Sequence, residues 1–316
     1  MKTVIPISLL SKYRRALMAI AMFWIAFHHA RFPITNKAIS FLLVTCGYVG
    51  VSLFFFLSAF SMYYSYKKDS NYLSFIKKRL IRILPYYVLY SLFMIFIVKD
   101  NYISYIGIDF FLKNQLENWF TYVILVLYLL TPLYLRLFNL KPLICTIIGI
   151  MVVFVVCVIV GDFSFIYAWF NVAIYLLGFY FAYLNDKKVS INIFFVLIAF
   201  IFGFALMYYM YHNLGNDVLH VYPCIFIAPS MLLLLAYLFD KITIFNKFLE
   251  YCGEFTYQFY LVNIPLVKCL YDNYDKLFIS GIGFDWWINI VGIVLSFVLS
   301  VVFKKIVDCI INKKGV

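Results

Sequence analysis

The segment "AMFWIAFHHA" (Ala21–Ala30) puts His28 and His29 side by side in an otherwise apolar stretch, although only four histidines occur in 316 residues. An imidazole with a reference pKa of about 6.5 can take a proton from a hydroxyl or carry an acyl group onward. Ionisable groups are costly in an apolar span and by default mark a functional site. Neighbouring residues on a helix diverge by about 100°, so one imidazole of the pair faces the bundle interior. The alternative is that both reach the headgroups, with Arg31 and Pro33 marking the interface just beyond.

The second group lies in "YLSFIKKRLIRILPYY" (Tyr72–Tyr87). On a helical wheel Leu73, Ile76, Leu80, Ile83 and Leu84 form one face, while Lys78, Arg79 and Arg82 gather on another. This pattern predicts an amphipathic helix lying at the membrane surface. Arg79 and Arg82, three residues apart, are neighbours able to grip one phosphate or pyrophosphate; attraction to anionic headgroups is the competing reading. A third segment, "YCGEFTYQFYLVNIPL" (Tyr251–Leu266), brings Glu254 to a helix start, where the dipole favours a carboxylate. It also carries Asn263 deeper into a span, where the amide needs a partner. In "GYVGVSLFFFLSAFSMYYSYKK" (Gly47–Lys68), Gly47, Gly50, Ser52, Ser58, Ala59 and Ser61 recur among large aromatics and permit close helix approach.

What positions these groups follows from composition. The chain is 66% hydrophobic and 22% aromatic with only 13% charged residues. That excludes an ordinary soluble domain. Crossing about 30 Å of hydrocarbon takes about 20 apolar helical residues. Such runs fall at 16–33, 41–65, 84–98, 118–138, 142–160, 166–184, 191–211, 219–239, 255–271 and 286–303. The prediction is an all-α polytopic membrane protein of about ten transmembrane helices. With the N-terminus inside, only Arg31, Lys37, Lys99, Lys113, Lys268 and Lys276 of the 26 basic residues fall outside, so both termini are expected to be cytoplasmic. The net charge of +12 then reports orientation, and a nucleic-acid partner is not called for. The first span follows a basic segment but is too long, and lacks the cleavage pattern, for a removed signal peptide. The longest outer loop is expected at about Lys99–Glu117, and no stretch is polar enough for a separate soluble domain. The seven cysteines are scattered without metal or disulfide spacing, so no metal is expected.

Five segments together resemble the integral-membrane acyltransferase-3 family, ten-helix enzymes that acylate surface carbohydrates. "SKYRRALMAIAMFWIAFHH" is similar to that family's first span, "GYVGVSLFFFLSAF" to its second, and "FIKKRLIRILPYY" to its basic loop with paired arginines. "WFTYVILVLYLLTPLY" (Trp119–Tyr134) and "CGEFTYQFYLV" resemble its fourth span and its late glycine-to-tyrosine segment. The resemblance implies one acyltransferase-like membrane domain over residues 1–316. It also implies transfer of an acyl group, expected to be acetyl, from cytoplasmic acyl-CoA to a hydroxyl of a cell-surface or lipid-linked polysaccharide. His28 takes the catalytic place, and Arg79, Arg82 and Lys78 hold the donor's phosphates. Arg14, Arg15, His29, Ser52, Trp119, Glu254, Tyr257 and Asn263 are candidates for support, with aromatics such as Trp119 expected to line a tunnel and stack on a sugar. No bound cofactor is expected, acyl-CoA being a substrate; the membrane would be a bacterial cytoplasmic one.

Three positions depart from the family's pattern. The arginine usually found ten residues ahead of the histidine is replaced by Leu17, leaving Arg14 or Arg15 for that role. Ser52 stands where an acid is usual, and Asn263 where a histidine often ends the late segment. A polysaccharide polymerase, a lipid-linked-sugar transporter and a catalytically reduced acyltransferase relative remain the alternative readings.

Overall fold

A computed structural model of the chain describes residues 3–30, 32, 34–98, 119–213, 221–244, 246–272 and 284–313. The expected outer loop at Lys99–Glu117, Arg31 and most of the connectors at 211–218 and 272–287 lie outside the described residues. Apart from a short ribbon, the described chain is helical. After strand β1 (Val4–Pro6) come α1 (Ser8–Lys12), α2 (Arg14–His29), α3 (Lys37–Lys68), α4 (Tyr72–Phe93, ending in a π-turn at Met94–Val98) and α5 (Trp119–Phe138). They are followed by α6 (Pro142–Val160), α7 (Phe163–Trp169), α8 (Asn171–Asp186), β2 (Ser190–Asn192) and α9 (Ile193–Asn213). The chain continues through α10 (Cys224–Lys241), α11 (Asn246–Cys252), α12 (Thr256–Asp272) and α13 (Phe284–Lys313).

Among the described residues, eight helices are long and apolar enough to cross a membrane: α3, α4, α5, α6, α7 with α8, α9, α10 and α13. This is a multi-pass membrane protein. The first and ninth predicted spans are α2 and α12, of 16 and 17 residues. At 1.5 Å per residue each is about 25 Å long, slightly less than the hydrocarbon layer.

The third span corrects the sequence reading. The expected surface helix at Tyr72–Tyr87 and the short span after it are one continuous helix, α4, which passes through Pro85 without breaking. Proline is tolerated in spanning helices because neighbouring elements satisfy the backbone it frees. The wheel is corrected too. The face turned inward carries Phe75, Ile76, Arg79, Ile83 and Tyr86, whereas Leu73 is 76% exposed. Arg79 therefore lies inside the bundle with Ile76 and Ile83, and is not on a solvated face opposite them.

One end of the bundle collects the paired charges. Lys12 bonds Asp240 at 2.7 Å, Arg15 bonds Glu254 at 2.8 Å, Lys67 bonds Asp186 at 2.5 Å and Lys78 bonds Asp69 at 2.5 Å. At the same end β1 pairs antiparallel with β2, Val4 opposite Asn192. The start of α2 and the ends of α3, α8 and α10 thus share one face, which the excess of basic residues makes the cytoplasmic one.

The packing is layered around α2. It lies against α3, α11 and α12, and α3 in turn lies against α8. Gly50 of α3 lets the backbone of α2 approach: a Cβ there would sit 2.8 Å from Ile25 and 3.0 Å from the Ala21 carbonyl oxygen. At the periphery, α6 and α9 are apolar all round and bury few side chains, as helices facing lipid do.

Candidate active site

Between α2, α3, α4, α5 and α12 lies a cavity of about 180 Å³. Its wall is mostly apolar, with Met18 and Ile25 from α2 and Phe54 from α3, and it carries Arg82, Ser58, Tyr128, Tyr257 and Tyr260 as polar groups. A smaller bay shares Ile25, Phe54, Thr256 and Tyr260 with it and adds Met22, Phe259, Asn263 and Ile264. Met18, Met22 and Ile25 succeed one another from the cytoplasmic end of α2 towards the histidines. Cavity and bay therefore run along the membrane normal.

Three guanidinium groups meet at the cytoplasmic end. Arg82 is exposed and lines the cavity, so it stands at its mouth. Arg79, 6% exposed, donates to the Ser65 hydroxyl and packs 5.3 Å from the Phe75 ring centroid. Arg14 donates to Ser61 at 2.9 Å, and its charge is felt at both Arg79 and Arg82. Among the described residues none of the three has a carboxylate partner, and the buried Arg79 Nε has no hydrogen-bond partner. Burying cations without counter-charge is expensive, and the cost falls when an anion binds between them. Lys78 is turned the other way. It is held by Asp69, whose carboxyl is lowered to about 2 mainly by that lysine.

The neighbouring arginines of α2 are thereby separated. Arg14 faces the cavity's arginine cluster, whereas Arg15 faces Glu254, which also lies 3.6 Å from Lys304. Glu254 falls in the turn just before α12, as its expected place at a helix start requires. Neither arginine comes near the histidines, which are about 20 Å further along α2.

His28 and His29 end α2, half-buried and edge-on to each other with centroids 5.1 Å apart. Neither is part of the cavity wall; they sit three and four residues beyond Ile25, one turn above the bay. His28 turns to α3, where its Nδ1 lies 3.3 Å from the Leu43 carbonyl oxygen. A carbonyl only accepts, so this contact places the proton on Nδ1 and leaves the lone pair on Nε2. Gly47 makes the arrangement possible, because a Cβ there would stand only 2.3 Å from His28 Cγ and 2.6 Å from its Nδ1.

The other expected residues divide. Tyr257 lines the cavity, its hydroxyl 3.4 Å from Thr121. Asn263 lines the bay. Ser52 does neither: it is fully buried on α3 and donates to Asn171 Oδ1 at 3.0 Å, a neutral pair between α3 and α8. Trp119 packs behind the wall, against Phe55 and Tyr167, and the adjacent Phe120 takes the lining position. Sequence reading missed Phe120, Ile124 and Tyr128. Their spacing of four is the signal of one α5 face, though in so apolar a helix the lipid-facing stripes look the same.

A family model described as an acyltransferase domain matches residues 16–305, most of the chain. No curated protein and no solved structure matches it.

Proposed function

The chain belongs to the acyltransferase 3 family and is a membrane acyltransferase acting on an acyl donor and an acceptor, and from this premise we propose that it moves an acetyl group from cytoplasmic acyl-CoA to a hydroxyl of a surface or lipid-linked polysaccharide. The observation that carries the choice of donor is Arg82 at the mouth of a mostly apolar cavity, with Arg14 and Arg79 near enough for their charges to be felt, and no carboxylate partner for any of the three among the described residues. Phosphates of the donor neutralise these cations, and guanidinium groups suit phosphate oxygens through paired N–H donors. Lys78, paired with Asp69, supplies at most long-range charge. No bound cofactor enters the reaction; the acyl-CoA is consumed as substrate.

The slender arm of the donor runs along the cavity between Met18, Phe54 and Tyr257, and brings the thioester towards the outer end of α2. There His28, with Nδ1–H held by Leu43, takes the acceptor's hydroxyl proton on Nε2. The oxygen attacks the thioester carbonyl, the C–S bond breaks, and the thiolate leaves with the proton returned by His28. His29, Tyr257 and Asn263 stand beside this path, while Arg15, Ser52, Trp119 and Glu254 hold the helices that form it. Phe120, Tyr128 and Tyr260 give the cavity aromatic walls.

The double change Arg79→Ala/Arg82→Ala tests the donor. Ester-linked acetyl should disappear from the host's surface glycan at unchanged protein level and glycan chain length. Loss of glycan amount or length with acetylation retained would instead assign the chain to polymerisation or transport.

A further inference from the structure

Asn263 is 2% exposed, and its two amide atoms meet different fates. Nδ2 donates to Ser296 Oγ at 3.1 Å, while that hydroxyl gives its own proton to the Gly292 carbonyl oxygen at 2.7 Å. With its proton committed, Ser296 can only accept, which fixes the amide with nitrogen towards α13 and oxygen away from it. Asn263 Oδ1 is then a buried acceptor without a partner among the described residues, and Asn263 is one of the residues that line the bay. A buried carbonyl oxygen left unbonded costs free energy that a ligand N–H or O–H recovers.

The bay limits what that ligand is. It holds about 10 Å³, and Met22, Ile25, Phe54, Phe259 and Ile264 make most of its wall apolar. That is room for one polar group of a narrow chain; a sugar ring does not fit. Its place along the molecule narrows the choice further. Asn263 is six residues beyond Tyr257 on α12, about 9 Å further from the arginines, and Ile25 is one turn below the histidines. The donor's arm carries an amide N–H two methylenes from its sulfur. An amide held at the bay leaves the thioester about one helical turn onward, level with His28 and His29.

We propose that Asn263 Oδ1 accepts a hydrogen bond from the amide N–H nearest the sulfur of the acyl donor, and so sets how far the thioester advances towards the histidines. This rests on the acyl-CoA reading above. Asn263 acts as a positioning residue; no bond to it forms or breaks during transfer.

The test uses the full-length protein in lipid nanodiscs and two compounds, acetyl-CoA and an analogue in which an ester oxygen replaces that amide N–H. Wild type should bind acetyl-CoA about tenfold more tightly than the analogue, the worth of one hydrogen bond to an otherwise orphaned acceptor. Asn263→Ala should bind both equally, at the analogue's affinity. Asn263→Leu, which removes the orphan atom while Ser296 keeps its bond to Gly292, should melt no lower than wild type without ligand and show the same loss of preference. A tenfold preference surviving in Asn263→Ala overturns the inference. Equal binding of both compounds by wild type assigns the bay to a water molecule and also overturns it. Wild type binding neither compound overturns the acyl-CoA reading itself, an outcome distinct from the other two.

Discussion

At the cytoplasmic end of the cavity the polar atoms are donors: Arg14 on Ser61, Arg79 on Ser65, and Arg82 at the mouth. Towards the outer end of α2 they are acceptors, the Asn263 oxygen beside the bay and, one turn above it, the Nε2 of His28, whose other nitrogen is held by Leu43. A donor-rich end attracts an anion and an acceptor-rich end takes protons, so under the proposed function the two ends divide the work of an acyl transfer. The surface basic groups make the contrast plainer. Lys12, Arg15, Lys67 and Lys78 all have carboxylates within 3 Å, whereas Arg14 and Arg79 bond the hydroxyls of Ser61 and Ser65. Exposed pairs of that kind contribute little; cations lacking one inside the bundle are there for something else to neutralise.

Changes at the outer end should damage turnover, and changes at the inner end should damage binding. The largest effect is expected from His28→Ala, which should lower kcat for acetyl transfer about 10³-fold with KM for acetyl-CoA nearly unchanged, as loss of a general base does. Gly47→Ala comes next. Its methyl would stand 2.3 Å from His28 Cγ, so the imidazole must swing away from Leu43, and about 10²-fold should be lost from kcat in a protein of near-native melting temperature. Arg82→Ala should act on the other coordinate, raising KM for acetyl-CoA about tenfold with kcat held within about twofold. A fall in kcat without a rise in KM would place Arg82 outside the donor site and dissolve the contrast.

The smallest effect belongs to Lys78→Gln, which should leave both constants within about twofold. Its signature is in stability against pH. Asp69 has a folded pKa of about 2, below its ordinary value of 3.8, so its stabilising contribution is present above about pH 4 and lost as pH falls towards 2. The difference in melting temperature between wild type and Lys78→Gln should therefore close over that interval. A difference that persists at pH 2 would show that Lys78 acts through something other than Asp69.

The spans were legible because hydropathy is a strong signal: 142–160 was read to the residue, and α5, α9 and α12 within two residues at their starts. The amphipathic segment was misjudged for a physical reason. Four basic residues in sixteen look like a surface helix, yet Arg79 finds Ser65, the Phe75 ring and its arginine neighbours inside the bundle, so the helix is drawn in and continues through Pro85. That Arg14 and Arg15 part company was also hidden, because it depends on Ser61 of α3 and Glu254 before α12, remote in sequence. Ser52 shows the converse. A departure from the family's acid suggested a weakened site, but in this chain the position faces Asn171, away from the cavity wall. Gly47 was read correctly as a close approach, though nothing local in the sequence says that what approaches is His28.

The most direct test of the divided cavity uses purified protein in nanodiscs, acetyl-CoA labelled in the acetyl group, and the host's own surface glycan as acceptor, comparing wild type, His28→Ala and His29→Ala. Label should enter the glycan as an alkali-labile ester with wild type and His29→Ala, and not with His28→Ala, while all three bind acetyl-CoA alike. Full transfer by His28→Ala, or loss of transfer confined to His29→Ala, would contradict the account.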